Sequence, residues 1–202
     1  MTNSLINLQN LWNPKIPDGE IFYYPNFLDL NKANELFIKL KDSIPWQQDP
    51  IKIFGKTYMQ PRLTSLHSLN KNKYSYSNIT MHSKPMTSEL IHLKNKISEV
   101  SNSEFNTVLL NLYRDGKDSN GWHADNEKEL GLNPVIGSIS LGHERVFHLK
   151  HKINKIDRFK ITLKHGSLLI MSGPMQHNWL HQIPKTTRKI NDRINLTYRK
   201  IF

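Results

Sequence analysis

Apolar residues recur along this chain at two spacings. From Asp29 to Ser43 they return every three or four positions, and Ala33, Leu36, Phe37, Leu40 and Ile44 form one stripe. That spacing predicts an amphipathic helix capped by Asp29 or Asn31 and stopped by Pro45. Thr87 to Val100 repeats it through Leu90, Leu93, Ile97 and Val100, a second helix. Ile51-Lys-Ile53-Phe54-Gly55-Lys56-Thr57-Tyr58 reads as a hairpin, two β-prone runs around a Phe-Gly-Lys tip. From Phe105 onward the texture is short strands with turn signals and no helix between them: Phe105–Tyr113, Gly121–Asp125, Gly137–Leu141, Arg145–Lys150, Ile161–Leu163 and Ser167–Met171. The loop Asn126–Pro134 and the segment His151–Arg158 are the least regular. Such a series predicts an antiparallel barrel or sandwich.

The last run, Arg193-Ile-Asn195-Leu-Thr197-Tyr-Arg199, alternates with period two. In a strand Arg193, Asn195, Thr197 and Arg199 share one face, and Ile194, Leu196 and Tyr198 the other. Two guanidiniums beside two short hydrogen-bonding groups suit a small dicarboxylate, because arginine binds carboxylates through a planar fork. A solvated basic edge strand is the plainer reading of the same run. Asn111 and Tyr113 also share a strand face and add an amide and a phenol.

Composition narrows the chemistry. With 202 residues and 37% hydrophobic content, the chain fits one domain with one core. It has no cysteine, which excludes disulfides and thiolate metal sites, so a metal here needs histidine and carboxylate. The longest clean apolar run, Leu168–Met171, is far short of a membrane span, and the first residues show no secretory pattern. The expected setting is therefore cytoplasmic in a bacterium or nuclear in a eukaryote, as a monomer off the membrane. The charge of +11 favours a polyanionic partner, nucleic acid above all. Two features fit that partner: an aromatic hairpin tip flanked by lysines, which can wedge between bases, and Tyr74 and Tyr76 at period two beside Lys71 and Lys73, a base-stacking pattern. Core packing is the plainer reading of Phe54 taken alone and explains the two tyrosines nearly as well.

His123-Ala-Asp125 places an imidazole and a carboxylate on one face of extended backbone. These are two of the three ligands of a facial triad that leaves positions open on Fe(II); tetrahedral zinc is the competing metal. Among ten histidines, His181 is the expected third ligand, ahead of His177 and His165, because it lies between the Ser167–Met171 strand and the arginine-bearing strand. Triad, cradle and β-rich frame point to an iron oxygenase that consumes a 2-oxo acid.

The stretches N-L-Y-R-D-G-x-D-x-x-G-W-H-A-D-N-E-K-E-L, H-G-S-L-L-I-M, W-L-H-Q-I-P and R-I-N-L-T-Y-R closely resemble the AlkB-type Fe(II)/2-oxoglutarate dioxygenases, from about Ile51 to Phe202. The resemblance implies an α+β, mainly β fold with a double-stranded β-helix (jelly-roll) core over 105–202. Residues 1–104 would supply N-terminal helices and a nucleotide-recognition lid. It implies iron on His123, Asp125 and His181, and 2-oxoglutarate on Asn111, Tyr113, Arg193, Asn195, Thr197 and Arg199. Arg193 would take the distal carboxylate, and Arg199 would sit near the proximal one and Asp125. Resemblance to the family's DNA-repair branch implies substrate contacts at Phe54, Gly55 and Lys56 of a finger hairpin, at Arg62, at the lid residues Tyr74 and Tyr76, and at Asn126 and Glu127. Asn126 departs from that branch's acidic pair. The implied activity is oxidative removal of N-methyl groups from bases such as N1-methyladenine and N3-methylcytosine in DNA, with O2 as co-substrate. The same chemistry on RNA, or a non-catalytic β-barrel that binds nucleic acid, are the alternatives.

Overall fold

The computed structural model describes residues 11–53, 55–69, 73–76 and 79–202; at 52–53, 73–76 and 79–80 it describes the backbone alone. In chain order the elements are β1 (Glu20–Tyr24), α1 (Leu30–Ser43), β2 (Pro50–Ile53), β3 (Lys56–Met59), β4 (Leu63–Ser68), β5 (Lys73–Tyr76), β6 (Ile79–His82), β7 (Lys84–Pro85) and α2 (Ser88–Ser101). The strand-rich half follows with β8 (Thr107–Tyr113), β9 (Asn120–His123), β10 (Ile136–Gly142), β11 (Arg145–His151), β12 (Arg158–Leu163), β13 (Ser167–Ser172), α3 (Met175–Asn178), β14 (Trp179–Ile183) and β15 (Arg193–Arg199).

Both long helices start where a side chain satisfies an orphan amide. Asp29 accepts from the Lys32 N–H at 2.9 Å, and Thr87 caps α2 through the Leu90 N–H. α1 ends at Ile44, before Pro45, and α2 ends on Asn102 in the left-handed conformation. Their apolar stripes, Ala33, Leu36 and Leu40 on α1 and Leu90, Leu93 and Ile97 on α2, are buried. Each such residue contributes roughly 1.5–3 kcal/mol.

The strands form two main sheets. One has seven strands in the order β1-β13-β10-β15-β8-β4-β7, the other four in the order β12-β11-β14-β9. One core cluster joins the helices to the seven-stranded sheet through Leu110, Ile139, Ile194, Leu196 and Tyr198. A second lies between the sheets around Leu109, Phe147, Leu149, Ile161, Leu169 and Trp179. Two facing sheets with helices on one side are the expected jelly-roll core. No helix among the described residues is long and apolar enough to cross a membrane.

β15 is not a solvated edge. It is the middle strand of seven, and all its residues are buried. Its apolar side meets the helices, where the Tyr198 hydroxyl donates to the Leu90 carbonyl at 3.0 Å, and its polar side faces the space between the sheets. Other departures are local. β9 ends at His123, so Asp125 lies just beyond the strand. A single helical turn, α3, follows the Ser172-Gly173-Pro174 turn where only strands were expected. β1, β4 and β7, all from the first 104 residues, belong to the same sheet as the core strands.

Candidate active site

The site is assembled by strand register. β14 pairs antiparallel with β9 so that His181 stands directly opposite His123, their ring centroids 4.2 Å apart. Antiparallel partners share a face, so both imidazoles project into the space between the sheets. Asp125 completes the group, and one ligand atom from each of the three lies within 4.8 Å of the others. Gln176 on α3 accepts the Asp125 backbone N–H at 2.9 Å and fixes the turn that carries the carboxylate. Phe147 stacks on the His181 ring.

Electrostatics prepare the three groups as ligands. Burial, with neighbouring His123, lowers His181 to about 3, and burial lowers His123 as well, so both imidazoles are neutral and have lone pairs to give. Burial alone would raise Asp125; the Arg199 guanidinium and the two histidines reverse this and hold it at about 2. Arg199 donates to Asp125 Oδ1 at 2.8 Å. The donor set is two neutral imidazoles and one carboxylate, which fits Fe(II). The His181 Nδ1 atom is buried without a hydrogen-bond partner among the described residues, a polar atom that an added group would satisfy.

The rest of the cavity is a receptor for negative charge. Its walls include Asn111, Tyr113, Arg193, Asn195, Thr197 and Arg199, all six residues expected for 2-oxoglutarate, together with His123, Asp125 and His181. Arg193 Nη2 donates to Ser140 Oγ at 2.8 Å and to Asn195 Oδ1 at 2.7 Å. The Asn195 amide then donates to Thr197 Oγ1 at 2.7 Å, which leaves the threonine proton for a ligand. Arg193 Nε and Nη1 are buried with no partner among the described residues, and burial lowers the guanidinium to about 10. It remains a cation at neutral pH. The formally charged side chains that line the cavity are Arg193 and Arg199 against Asp125, a surplus of one positive charge before any metal is counted.

The expected substrate residues are placed less completely. Gly55 (φ 78) turns the β2–β3 hairpin, and Lys56 beside it is exposed. Phe54, the expected finger aromatic, lies outside the described residues. Tyr74 and Tyr76 lie on β5, described in backbone only. Asn126 is exposed and Glu127 half-buried, both just past Asp125. Arg62 is not at the surface: it is buried, with Nε on Asn111 Oδ1 at 2.8 Å and Nη1 on the Ser119 carbonyl. It therefore holds the Asn111 oxygen and turns that amide's donors toward the cavity. Several contributors had no legible sequence signal, because their partners are remote in the chain: Gln176, Ser140, Ser138 and Phe147. Asn120, three residues from His123, was also missed; its amide lies 3.1 Å from His123 Nε2.

Known proteins agree with this geometry. The profile of the 2OG-Fe(II) oxygenase superfamily matches residues 20–199. Alpha-ketoglutarate-dependent dioxygenase alkB homolog 3 of Bos taurus is 41% identical over 187 residues, covering 88% of this chain and 65% of the relative. DNA oxidative demethylase ALKBH2 of Arabidopsis thaliana is 33% identical over 211 residues, covering 91% and 67%. This chain thus spans about two thirds of the length of these relatives. The solved structure of OsALKBH1 superposes with a TM-score of 0.68 at 17% identity, covering 93% of this chain and 99% of that one, and shares the fold. With the profile running through both arginines and all three metal-competent side chains, the protein belongs to the 2OG-Fe(II) oxygenase superfamily, in its AlkB-type branch.

Proposed function

We propose that this protein removes N-methyl groups from alkylated bases in nucleic acid by oxidation, with DNA as the principal substrate. The observation that carries the reading is the convergence of His123, Asp125 and His181 within 4.8 Å beside the buried, unmatched charge of Arg193. Support for nucleic acid comes from the +11 charge and from relatives that include a DNA oxidative demethylase.

In this reading His123, Asp125 and His181 hold iron. Arg193 and Thr197 hold the distal carboxylate of 2-oxoglutarate, and Asn111, oriented by Arg62, and Tyr113 bind its remaining oxygens. Arg199 neutralises Asp125 and fixes its direction. Iron with 2-oxoglutarate and O2 supplies the oxidation that hydroxylates the N-methyl carbon, and the product releases formaldehyde and the repaired base. The protein contributes position and dryness. The base leaves the stack to reach a cavity between two sheets, at a cost of a few kcal/mol, less for a lesion that cannot pair. Phe54 fills the gap, Tyr76 stacks on the extruded base, and Glu127 faces its charge; N1-methyladenine and N3-methylcytosine, both cationic, are the preferred lesions.

The test is mass spectrometry of oligonucleotides that carry one methylated base, as single-stranded DNA, duplex DNA and RNA, with and without 2-oxoglutarate. The expected result is a loss of one methyl that depends on 2-oxoglutarate and is fastest on DNA. Faster turnover of the RNA strand reassigns the substrate, and no methyl loss from any strand removes the reading.

A further inference from the structure

We propose that the outer face of the four-stranded sheet is a second contact for nucleic acid: a stacking platform centred on Trp122 that takes an unpaired stretch of the strand whose base occupies the cavity. It rests on the nucleic-acid reading above.

β9 is an edge strand of its sheet, so the cavity and the outer face meet along it. His123 projects inward and its neighbour Trp122 projects outward. Trp122 is 39% exposed and belongs to neither core cluster, so packing gives no account of an indole at this place. One cation stands over it: the Lys150 Nζ sits 4.3 Å from the centre of the Trp122 ring, and the neutral His148 ring lies 6.4 Å away. Register sets Lys150 beside Arg158 and His148 beside Lys160 on the next strand. The outward positions of these four strands carry no carboxylate.

An exposed indole under one lysine, with Arg158 and Lys160 farther along the same carboxylate-free sheet, suits a base stacked on the ring and its backbone running toward those cations. A base stack outweighs a solvent-exposed ammonium contact, so an arriving base displaces Lys150, which then reaches a phosphate. The occupant is a single strand because a duplex keeps its base faces covered. The adjacency of Trp122 to His123 puts this platform beside the reacting base on the same strand.

The experiment compares a methylated trinucleotide, which fills the cavity alone, with a methylated single strand of about fifteen nucleotides that reaches the platform. Binding is read by fluorescence anisotropy across a salt series and turnover by mass spectrometry. Trp122→Ala should weaken the long strand on the order of tenfold, Trp122→Phe much less, and both should leave trinucleotide turnover unchanged. The combined Lys150→Gln, Arg158→Gln, Lys160→Gln variant should reduce the slope of log affinity against log salt by about 2. Equal loss on both lengths would show that Trp122 acts only by supporting His123, and no loss on either would show a bare solvated face; each overturns the platform while the demethylase reading stands. Polyglutamate that competes as well as the oligonucleotide also overturns it, since the face then takes any acidic chain. If the parent protein binds and demethylates neither length, the nucleic-acid reading fails and the platform falls with it.

Discussion

Replacing Arg193 with methionine separates binding from folding, because the two should move independently. In the ligand-free protein this guanidinium is buried over the Tyr113 ring, with Nε and Nη1 lacking a hydrogen-bond partner among the described residues, and burial holds it at about 10, down from 12.5. That difference corresponds to roughly 3 kcal/mol of disfavoured charge. Arg193→Met removes it and forfeits two hydrogen bonds, to Ser140 and Asn195, each with a net value of about 1–3 kcal/mol to a charged donor. Two such bonds total about 2–6 kcal/mol against roughly 3 recovered, so ligand-free stability should fall by no more than about 3 kcal/mol, a Tm shift of at most about 10 °C for a chain of this size. Binding should not cancel. Removing one partner of a buried charged pair costs about 2–5 kcal/mol, which is roughly 30-fold or more in 2-oxoglutarate affinity. The assay is thermal unfolding with Mn(II), with and without 2-oxoglutarate at about 100 times the parent Kd. The parent gains about 2.7 kcal/mol; a variant weakened 100-fold gains about 0.4 kcal/mol. A variant that loses several kcal/mol without ligand yet keeps the parent's ligand-induced shift would refute the reasoning and make Arg193 a structural residue.

Three further outcomes follow from the geometry. Gln176→Ala removes the acceptor of the Asp125 N–H and should weaken metal binding about 10–100-fold with the fold retained; a Co(II) absorption titration that matches the parent rules out this support. Gly137→Ala places a Cβ 2.7 Å from Ile97 Cγ2, where α2 crosses β10, and should destabilise by about 1–3 kcal/mol in urea unfolding; an unchanged midpoint means the helix moves freely. Burial lowers His67, His123, His148, His165 and His181 below their ordinary 6.5. The unfolded chain therefore binds protons first, and stability of the metal-free protein should be full above about pH 6.5 and fall as the pH drops below it. A urea midpoint that is flat from pH 7.5 to about 5 contradicts this sign.

The parts of the molecule legible in its sequence are those whose signal is local. The Asp29-or-Asn31 cap, which the structure gives to Asp29, the stop at Pro45 and the stripes of α1 and α2 need only neighbouring residues to be read. The alternation of β15 correctly separates its arginine face from its apolar face. It does not reveal that the strand is central, because burial of Ile194, Leu196 and Tyr198 under α1 and α2 depends on packing across the whole fold. β4, Leu63-Thr-Ser-Leu-His-Ser, lacks a clean alternation because it is nearly buried on both sides. Arg62 was expected to touch the substrate; it is buried instead, on Asn111, 49 residues away. The same remoteness hides Gln176 from Asp125 and Ser140 from Arg193.

The pairing of His123 with His181 bears on how the sheet itself is held. β9 is short and has one neighbouring strand, β14, with an irregularity in register between His181 and Ile183. Lone short margins of this kind fray first. An ion shared by the two histidines would rivet that margin to the strand next to it, so amide exchange along Asn120–His123 should slow on metal loading while the middle of the large sheet stays as it was. The oxidising centre would then double as the seam of its own housing, and loss of iron would loosen the wall that shapes the entrance.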